Sequence, residues 1–192
     1  RLFICPEWEA DLPMEPGGCR IIVQPGLSFG TGTHFTTRFC LEALETIADR
    51  GTPGALLDVG TGSGILAVAG VRLGFEPVVA VDNDPVCLDQ ARANARRNSV
   101  EDRIEVRAGD ALRLKRRTVC DTLCANLYRD ALLEAASRFR AAARRHLVLS
   151  GIREEESATV AAAYAREGWT EVAHDGDGEW VGWWFSRNRE AA

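Results

Sequence analysis

Long apolar runs are missing from this chain of 192 residues. Its longest uncharged stretch in an apolar region, Val59 to Val71, is 13 residues long and opens on Gly, Thr and Ser. A membrane-crossing helix needs about 20, so no membrane partner is expected. Metal-type cysteine spacing is also missing: six Cys stand at 5, 19, 40, 87, 120 and 124, none in a CxxC pair, and only three His are present. No metal site is expected from that pattern, and the thiols read as core residues of a protein kept in a reducing cytoplasm. Lysine is nearly absent, Lys115 being the only one among 23 basic residues, which points to genome composition rather than chemistry. A positive charge excess is lacking too. Residues 1–150 balance 19 basic against 19 acidic side chains, whereas residues 151–192 carry 4 Arg and 9 acids, for a net charge of −5. A non-specific nucleic-acid binder shows the opposite sign. The one basic run, Arg113 to Arg117, reads as a solvated loop between strands.

With 46% hydrophobic and 27% charged residues the chain has an ordinary globular composition, which excludes disordered and fibrous classes. Its length suits one domain with a proper core. Charges recur through the first twenty residues, unlike a secretory signal. Arg1 in place of an initiator Met leads us to expect that something upstream was removed or lies outside this chain.

Short apolar runs alternate with helical patterns. Strands are predicted over Ala55–Val59, Pro77–Asp82, Arg103–Ala108, Val119–Ala125 and His146–Ser150, and helices over Ile65–Leu73, Asp84–Asn98 and Arg129–Ala143, with another starting at Glu154. Asp84 followed by Pro85 supplies an N-cap and a first-turn proline. Trp169–His174 and Trp180–Phe185 flank Asp175-Gly-Asp-Gly178 as a hairpin. The aspartates of that turn lack the rest of a calcium-loop spacing. Upstream, a further strand over Arg20–Gln24 and a helix over Thr36–Arg50 are expected, the latter with Phe39, Cys40, Ala43, Leu44 and Ile47 on one face. The sum is an α/β, doubly wound, Rossmann-like sheet of seven strands. It is mostly parallel, with one antiparallel strand near its edge. Two finer expectations follow from strand parity: Cys120 and Cys124 point the same way, and of Trp183 and Trp184 one faces the core and the other the surface or a partner.

Ligands of such sheets bind at the carboxyl ends of the strands. Asp58-Val-Gly-Thr-Gly-Ser-Gly64 brings backbone close to a ligand, with a helix N-terminus behind it. Its G-x-G-x-G spacing, with Ile65 where a dinucleotide fingerprint needs its third Gly, argues against NAD. Asp82, at the end of the next strand, can accept from both hydroxyls of a ribose. Asp110, after the third strand, either accepts from an exocyclic adenine amine or caps a turn.

In this order and spacing, these three segments resemble the S-adenosylmethionine-dependent methyltransferases of class I. The resemblance narrows at Gln24-Pro-Gly-Leu-Ser-Phe-Gly-Thr-Gly-Thr-His34 followed by Thr36-Thr37, which is similar to the signature of the bacterial ribosomal protein L11 methyltransferases. Ala125-Asn-Leu-Tyr128, Leu149-Ser-Gly-Ile152 and Gly178-Glu-Trp-Val181 fit the same family, so the likeness covers nearly the whole chain. Phe35 and Gln24 depart from it: the family usually carries Pro or a polar residue at the first and Asp at the second.

The resemblance implies that Phe29, Gly30, Thr31 and Thr37 cover S-adenosylmethionine. It implies that Asp58, Gly60, Gly62, Gly64, Asp82, Asn83 and Asp110 hold the cofactor, and that Asn126 touches it at the methyl-transfer end. It further implies that residues 1–35 are a linker end and cofactor-covering loop, that 36–192 form the methyltransferase domain, and that the family's N-terminal substrate-recognition domain is absent. The reaction implied is in-line transfer of a methyl group to lysine or other amino groups of ribosomal protein L11, by a monomer, releasing S-adenosylhomocysteine. Asn126, Leu127, Tyr128 and His34 are the catalytic candidates. Asn126 and Leu127 offer acceptors that orient an amine. Tyr128 either walls the pocket or packs at a helix start, and His34 either acts as a base or holds its loop shut. Gly30–Thr33 reads as a lid with glycine hinges. The Asn-Pro-Pro-Tyr run of adenine and glutamine-amide methyltransferases is missing at 126–128, which argues against planar amide or base nucleophiles. Another protein, a small-molecule amine, or a non-catalytic cofactor-binding or ribosome-associated role are the alternatives.

Overall fold

A computed structural model describes residues 2–14, 16–24, 34–51, 53–114 and 119–187. The chain begins with β1 (Leu2–Cys5) and β2 (Cys19–Ile22), joined through a short 3-10 turn at Glu7–Glu9 and paired in parallel as a small separate sheet. There follow α1 (Phe35–Asp49), β3 (Leu56–Val59), α2 (Ile65–Arg72), β4 (Val78–Asp82), α3 (Pro85–Arg97), β5 (Ile104–Ala108), β6 (Cys120–Asn126), α4 (Arg129–Ala142), β7 (Ala143–Arg153), α5 (Ser157–Arg166), β8 (Thr170–Gly176) and β9 (Trp180–Ser186).

The large sheet has seven strands in the order β5-β4-β3-β6-β7-β9-β8. All pairings are parallel except those of β9, which runs antiparallel to both β7 and β8. The chain builds outward from β3 to β5, crosses back, and builds outward again from β6. The expected doubly wound sheet and its hairpin are therefore present. The central strands are near-continuous apolar runs because helices cover both faces. Neighbouring residues split between the two cores: Leu56, Cys124, Val148 and Trp184 face α1 and α2, while Leu57, Leu123, Leu147 and Trp183 face α4 and α5.

This two-sided cover corrects the reading of the tryptophans. Trp183 and Trp184 are both buried. Trp183 stacks on Phe185 and His174, and Trp184 lies under the Arg50 guanidinium. Helix α1 with Arg50 covers one face of β9 and α5 the other, so both tryptophans are buried. The parity of Cys120 and Cys124 is also corrected. The β6–β7 register shifts between Cys120 and Thr122, and such an irregularity moves a side chain to the other face. Cys120 lies on the α4 side, its Sγ 3.6 Å from the Ala142 carbonyl oxygen, and Cys124 lies on the α1 side beside Cys40.

Several local expectations hold. Asp84 caps α3, its Oδ1 accepting from Val86 N at 2.8 Å. Asp177 is a turn residue: its Oδ1 accepts from Glu179 N and Trp180 N at 3.0 and 2.8 Å, and these bonds hold its carboxyl below the usual range. Two differences are larger. Strand β1 was not foreseen. Strand β7 spans 11 residues, following α4 without a loop and running on past Ser150. Its register with β9 shifts between Leu149 and Ile152, where Gly151 has φ of +81°. Among the described residues no helix is long and apolar enough to cross a membrane.

Helix α1 rests on β9 at Gly182, where a Cβ would lie 2.2 Å from Phe39 Cδ1. Gly182→Ala should overpack that contact and cost about 1–3 kcal/mol. Urea titration checks this: the midpoint falls while the slope is kept.

Candidate functional site

Five segments meet at the carboxyl edge of the large sheet: Asp58 in β3, Asp82 closing β4, Asp110 beyond β5, Asn126 closing β6 and the bend of β7 at Gly151. Strands β3 and β6 are neighbours from which the chain winds in opposite directions, the place where such sheets bind ligands.

The loop after β3 is shaped by its glycines. Gly60, Gly62 and Gly64 have φ of +71°, +53° and +79°, a region costly for residues with a Cβ. A Cβ at Gly60 would sit 2.4 Å from Leu127 Cδ2, and one at Gly64 would sit 2.9 Å from Ala91 Cα. The loop thus lies hard against both α3 and the segment after β6. Asp82 pins it from the side. Its Oδ2 accepts from Gly62 N at 2.9 Å and its Oδ1 from Asp84 N at 3.0 Å. A carboxylate has about four acceptor positions, so two remain for a ligand. Asn83, beside it, is exposed.

Asp58 is fully buried. Its Oδ2 accepts from the Thr61 hydroxyl at 2.5 Å, while Oδ1 has no hydrogen-bond partner. Burial pushes its carboxyl up to about 7, with the Asp82 charge adding to the rise and the Thr61 bond opposing it. Thr37, in the first turn of α1, is also buried, with Oγ1 unpartnered. Asp110 caps its turn with one oxygen, Oδ1 accepting from Leu112 N at 2.8 Å, which leaves further acceptor positions on the carboxylate. It also borders a cavity of about 150 Å³ with Val81, Gly109 and Leu114.

At the other end a cavity of about 290 Å³ is lined by Thr36, Asn126, Leu127, Tyr128, Gly151, Arg153 and Trp180. Asn126 Nδ2 donates to Thr36 Oγ1 at 3.1 Å, and Thr36 Oγ1 lies 2.9 Å from His34 Nδ1. One of the two amide N–H groups is committed to Thr36, which orients the amide and leaves Asn126 Oδ1 as an acceptor. A Cβ at Gly151 would come within 2.9 Å of that oxygen and 2.7 Å of the Leu127 carbonyl oxygen. Only glycine lets both carbonyls face this bend. Trp180 is held in place by the Arg153 guanidinium 4.6 Å over its ring and by the edge of His34 at 5.5 Å.

The sequence-predicted residues thus converge in part. Asn126, Leu127 and Tyr128 share the larger cavity, and Tyr128, 75% exposed at the start of α4, stands at its mouth. His34 is the N-cap of α1, accepting from Thr36 N at 3.4 Å. Phe29, Gly30, Thr31 and the lid expected over Gly30–Thr33 lie outside the described residues. Thr36, Gly151, Arg153 and Trp180 were not foreseen as site residues. A glycine inside a strand pattern was the available signal for Gly151, and Trp180 stood in the already noted Gly178–Val181 segment.

The description of a protein-family model, Ribosomal protein L11 methyltransferase (PrmA), matches residues 1–188. The chain belongs to that family. It is 45% identical over 181 residues to the ribosomal protein L11 methyltransferase of Geobacter sulfurreducens, covering 93% of this chain and 58% of that one. It is 42% identical over 184 residues to that of Alteromonas mediterranea, covering 94% and 60%. The chain therefore spans about three fifths of the length of these relatives. A crystal structure of ribosomal protein L11 methylase from Lactobacillus delbrueckii subsp. bulgaricus superposes with a TM-score of 0.88 at 28% identity, covering 98% of this chain and 95% of that chain. An RNA methyltransferase from Salinibacter ruber, solved with S-adenosyl-L-homocysteine, shares the fold at a TM-score of 0.60 and 17% identity over 79% of this chain and 92% of that one.

In this member of the L11 methyltransferase family, Asp58 sets a pH dependence. Its folded-state pKa of about 7 lies above the ordinary 3.8, so the folded state binds the proton more tightly. That contribution is complete below pH about 4 and is lost as pH rises through about 7. Asp58→Asn, which keeps a neutral side chain, should gain stability relative to the parent as pH rises from 5 to about 7, then level off. Denaturant titrations across that range read the gap, and parallel curves would contradict it.

Proposed function

We propose that this chain is the cofactor-holding and catalytic part of an S-adenosylmethionine-dependent protein N-methyltransferase. Its substrates are amino groups of ribosomal protein L11, and it acts as a monomer in the cytoplasm. The observation that carries the reading is the fixed amide of Asn126. One of its N–H groups is committed to Thr36, and its Oδ1 stands with the Leu127 carbonyl at the rim of a cavity beside the glycine loop.

The residues present fit the cofactor. Asp58 Oδ1 and Thr37 Oγ1 are buried without partners, Asp82 keeps free acceptor positions, and the glycine loop packs tightly between Leu127 and α3 at the carboxyl edge. Asp82 would hold the ribose, Asp110 the adenine side, and Asp58 with Thr37 the cationic, donor-bearing end. What the cofactor supplies when bound is a methyl group already activated by its positive sulfur.

The protein's own task is placement. A lysine amine has an ordinary pKa near 10.4 and must be neutral to attack. The apolar walls of Leu127, Tyr128 and Trp180 disfavour its charged form. The Asn126 and Leu127 carbonyls accept its N–H bonds and turn its lone pair along the transfer line. His34 serves through Thr36: the N-cap that starts α1 also fixes the hydroxyl on which Asn126 depends.

Two measurements test the reading. Calorimetry with S-adenosylhomocysteine should give binding that Asp82→Ala weakens at least about tenfold, the scale of losing a bidentate contact; equal heats would remove the cofactor assignment. The intact mass of L11, followed with enzyme and S-adenosylmethionine, should rise in methyl increments. Asn126→Ala should slow that rise on the order of 100-fold, as loss of one positioned polar group does. Methylation of a free amine with L11 left unchanged would favour the small-molecule alternative.

A further inference from the structure

The buried carboxamides of α3 perform a task outside the site so far described. Asn94 and Asn98 stand one turn apart on one face of the helix end, and both are buried, at 0% and 2% exposure. A purely structural position there would suit an aliphatic residue, since a buried amide is costly unless its bonds are made. Here they are made, to two different parts of the chain.

Asn98 serves the N-terminal strand pair. Its Oδ1 accepts from Ile22 N at 2.8 Å and its Nδ2 donates to the Ile22 carbonyl at 2.7 Å, as the next strand of a sheet would. Asn94 is divided. Its Oδ1 accepts from Gln24 N at 3.3 Å, just beyond β2, and from Arg97 Nη1 at 3.4 Å. Its Nδ2 donates to the carbonyl of Ser63 at 2.8 Å. Ser63 lies between Gly62 and Gly64, both at positive φ. A glycine-rich segment loses much conformational freedom when held in one shape. A side-chain donor that fixes its carbonyl from outside removes part of that cost before a ligand arrives.

We propose that Asn94 is a positioning residue for the cofactor: it holds the glycine loop through the Ser63 carbonyl, and the same amide ties that loop to the N-terminal strand pair through Gln24. The proposal rests on the cofactor assignment above. It adds that the strand pair and the cofactor loop are mechanically joined, by way of one amide that touches no ligand.

Asn94→Asp keeps the size and the acceptor for Gln24 but has no N–H for Ser63. Asn98→Asp makes the same change of charge one turn away, where no bond reaches the loop. The full chain is titrated with S-adenosylhomocysteine, which lacks the sulfonium charge and so mutes direct attraction to a new carboxylate. Asn94→Asp should weaken binding about tenfold and Asn98→Asp by less than about twofold, although both lower thermal stability, the first by losing the one donor bond to Ser63 and the second by losing the two to the Ile22 and Asn94 carbonyls. Equal losses, or none for Asn94→Asp, would overturn the proposal. Hydrogen exchange at the Gly62 and Gly64 amides gives a readout free of ligand: it should quicken in Asn94→Asp and not in Asn98→Asp, and unchanged exchange counts against the proposal. Should Asn94→Asp fail to fold, Asn94→Ser removes the same bond without the charge. If the parent chain binds no S-adenosylhomocysteine, the cofactor assignment fails, and the exchange comparison still decides whether Asn94 holds the loop.

Discussion

The two oxygens of Asp82 accept backbone N–H groups from opposite sides, Gly62 at 2.9 Å and Asp84 at 3.0 Å. One bond fixes the glycine loop that follows β3. The other shapes the turn into α3, whose own cap is Asp84. A single carboxylate at the end of β4 therefore sets the relative position of two helix starts and the loop between them. The glycines make this possible, since the loop holds three positive-φ positions that a side chain would strain. Leu127, pressed over Gly60, carries the same constraint to the neighbouring strand. Much of the geometry at the carboxyl edge follows from these contacts.

The two ends of the site differ in kind. Acidic side chains gather around the glycine loop, in Asp58, Asp82 and Asp110. The larger cavity presents neutral carbonyl oxygens from Asn126 and Leu127. A carboxylate beside an attacking amine would favour its protonated form, whereas a neutral acceptor orients the amine with less of that penalty. The arrangement keeps acidic side chains on the glycine-loop side and neutral acceptors on the Asn126 side.

The sheet was legible because its signals are local. The apolar runs of β3 and β4, the glycine loop, and the Asp84-Pro85 cap each speak within a few residues, and their order implies the winding. The positions of Asp58, Asp82 and Asn126 at the carboxyl edge were legible for the same reason: they close or adjoin strands that the pattern delimits. What escaped notice depends on partners distant in sequence. The irregularity that turns Cys120 to the α4 side exists only in its pairing with β7. The cover over both faces of β9 comes from helices far upstream. Strand β1 is too short to read until β2 lies beside it. Thr36 joined the site through a bond to a residue 90 positions away, and no spacing rule reaches that far.

Strand β8 lies at the outer edge of the sheet, exposed along its whole length. Its free backbone groups are the kind that invite pairing with a second chain. Glu171 and Asp175 stand on that edge, with Asp177 and Glu179 in the turn that follows it. Two such edges laid together would bring carboxylates against carboxylates. Acidic side chains along and beside an edge strand oppose the approach of an identical edge, a role that charged residues commonly fill there.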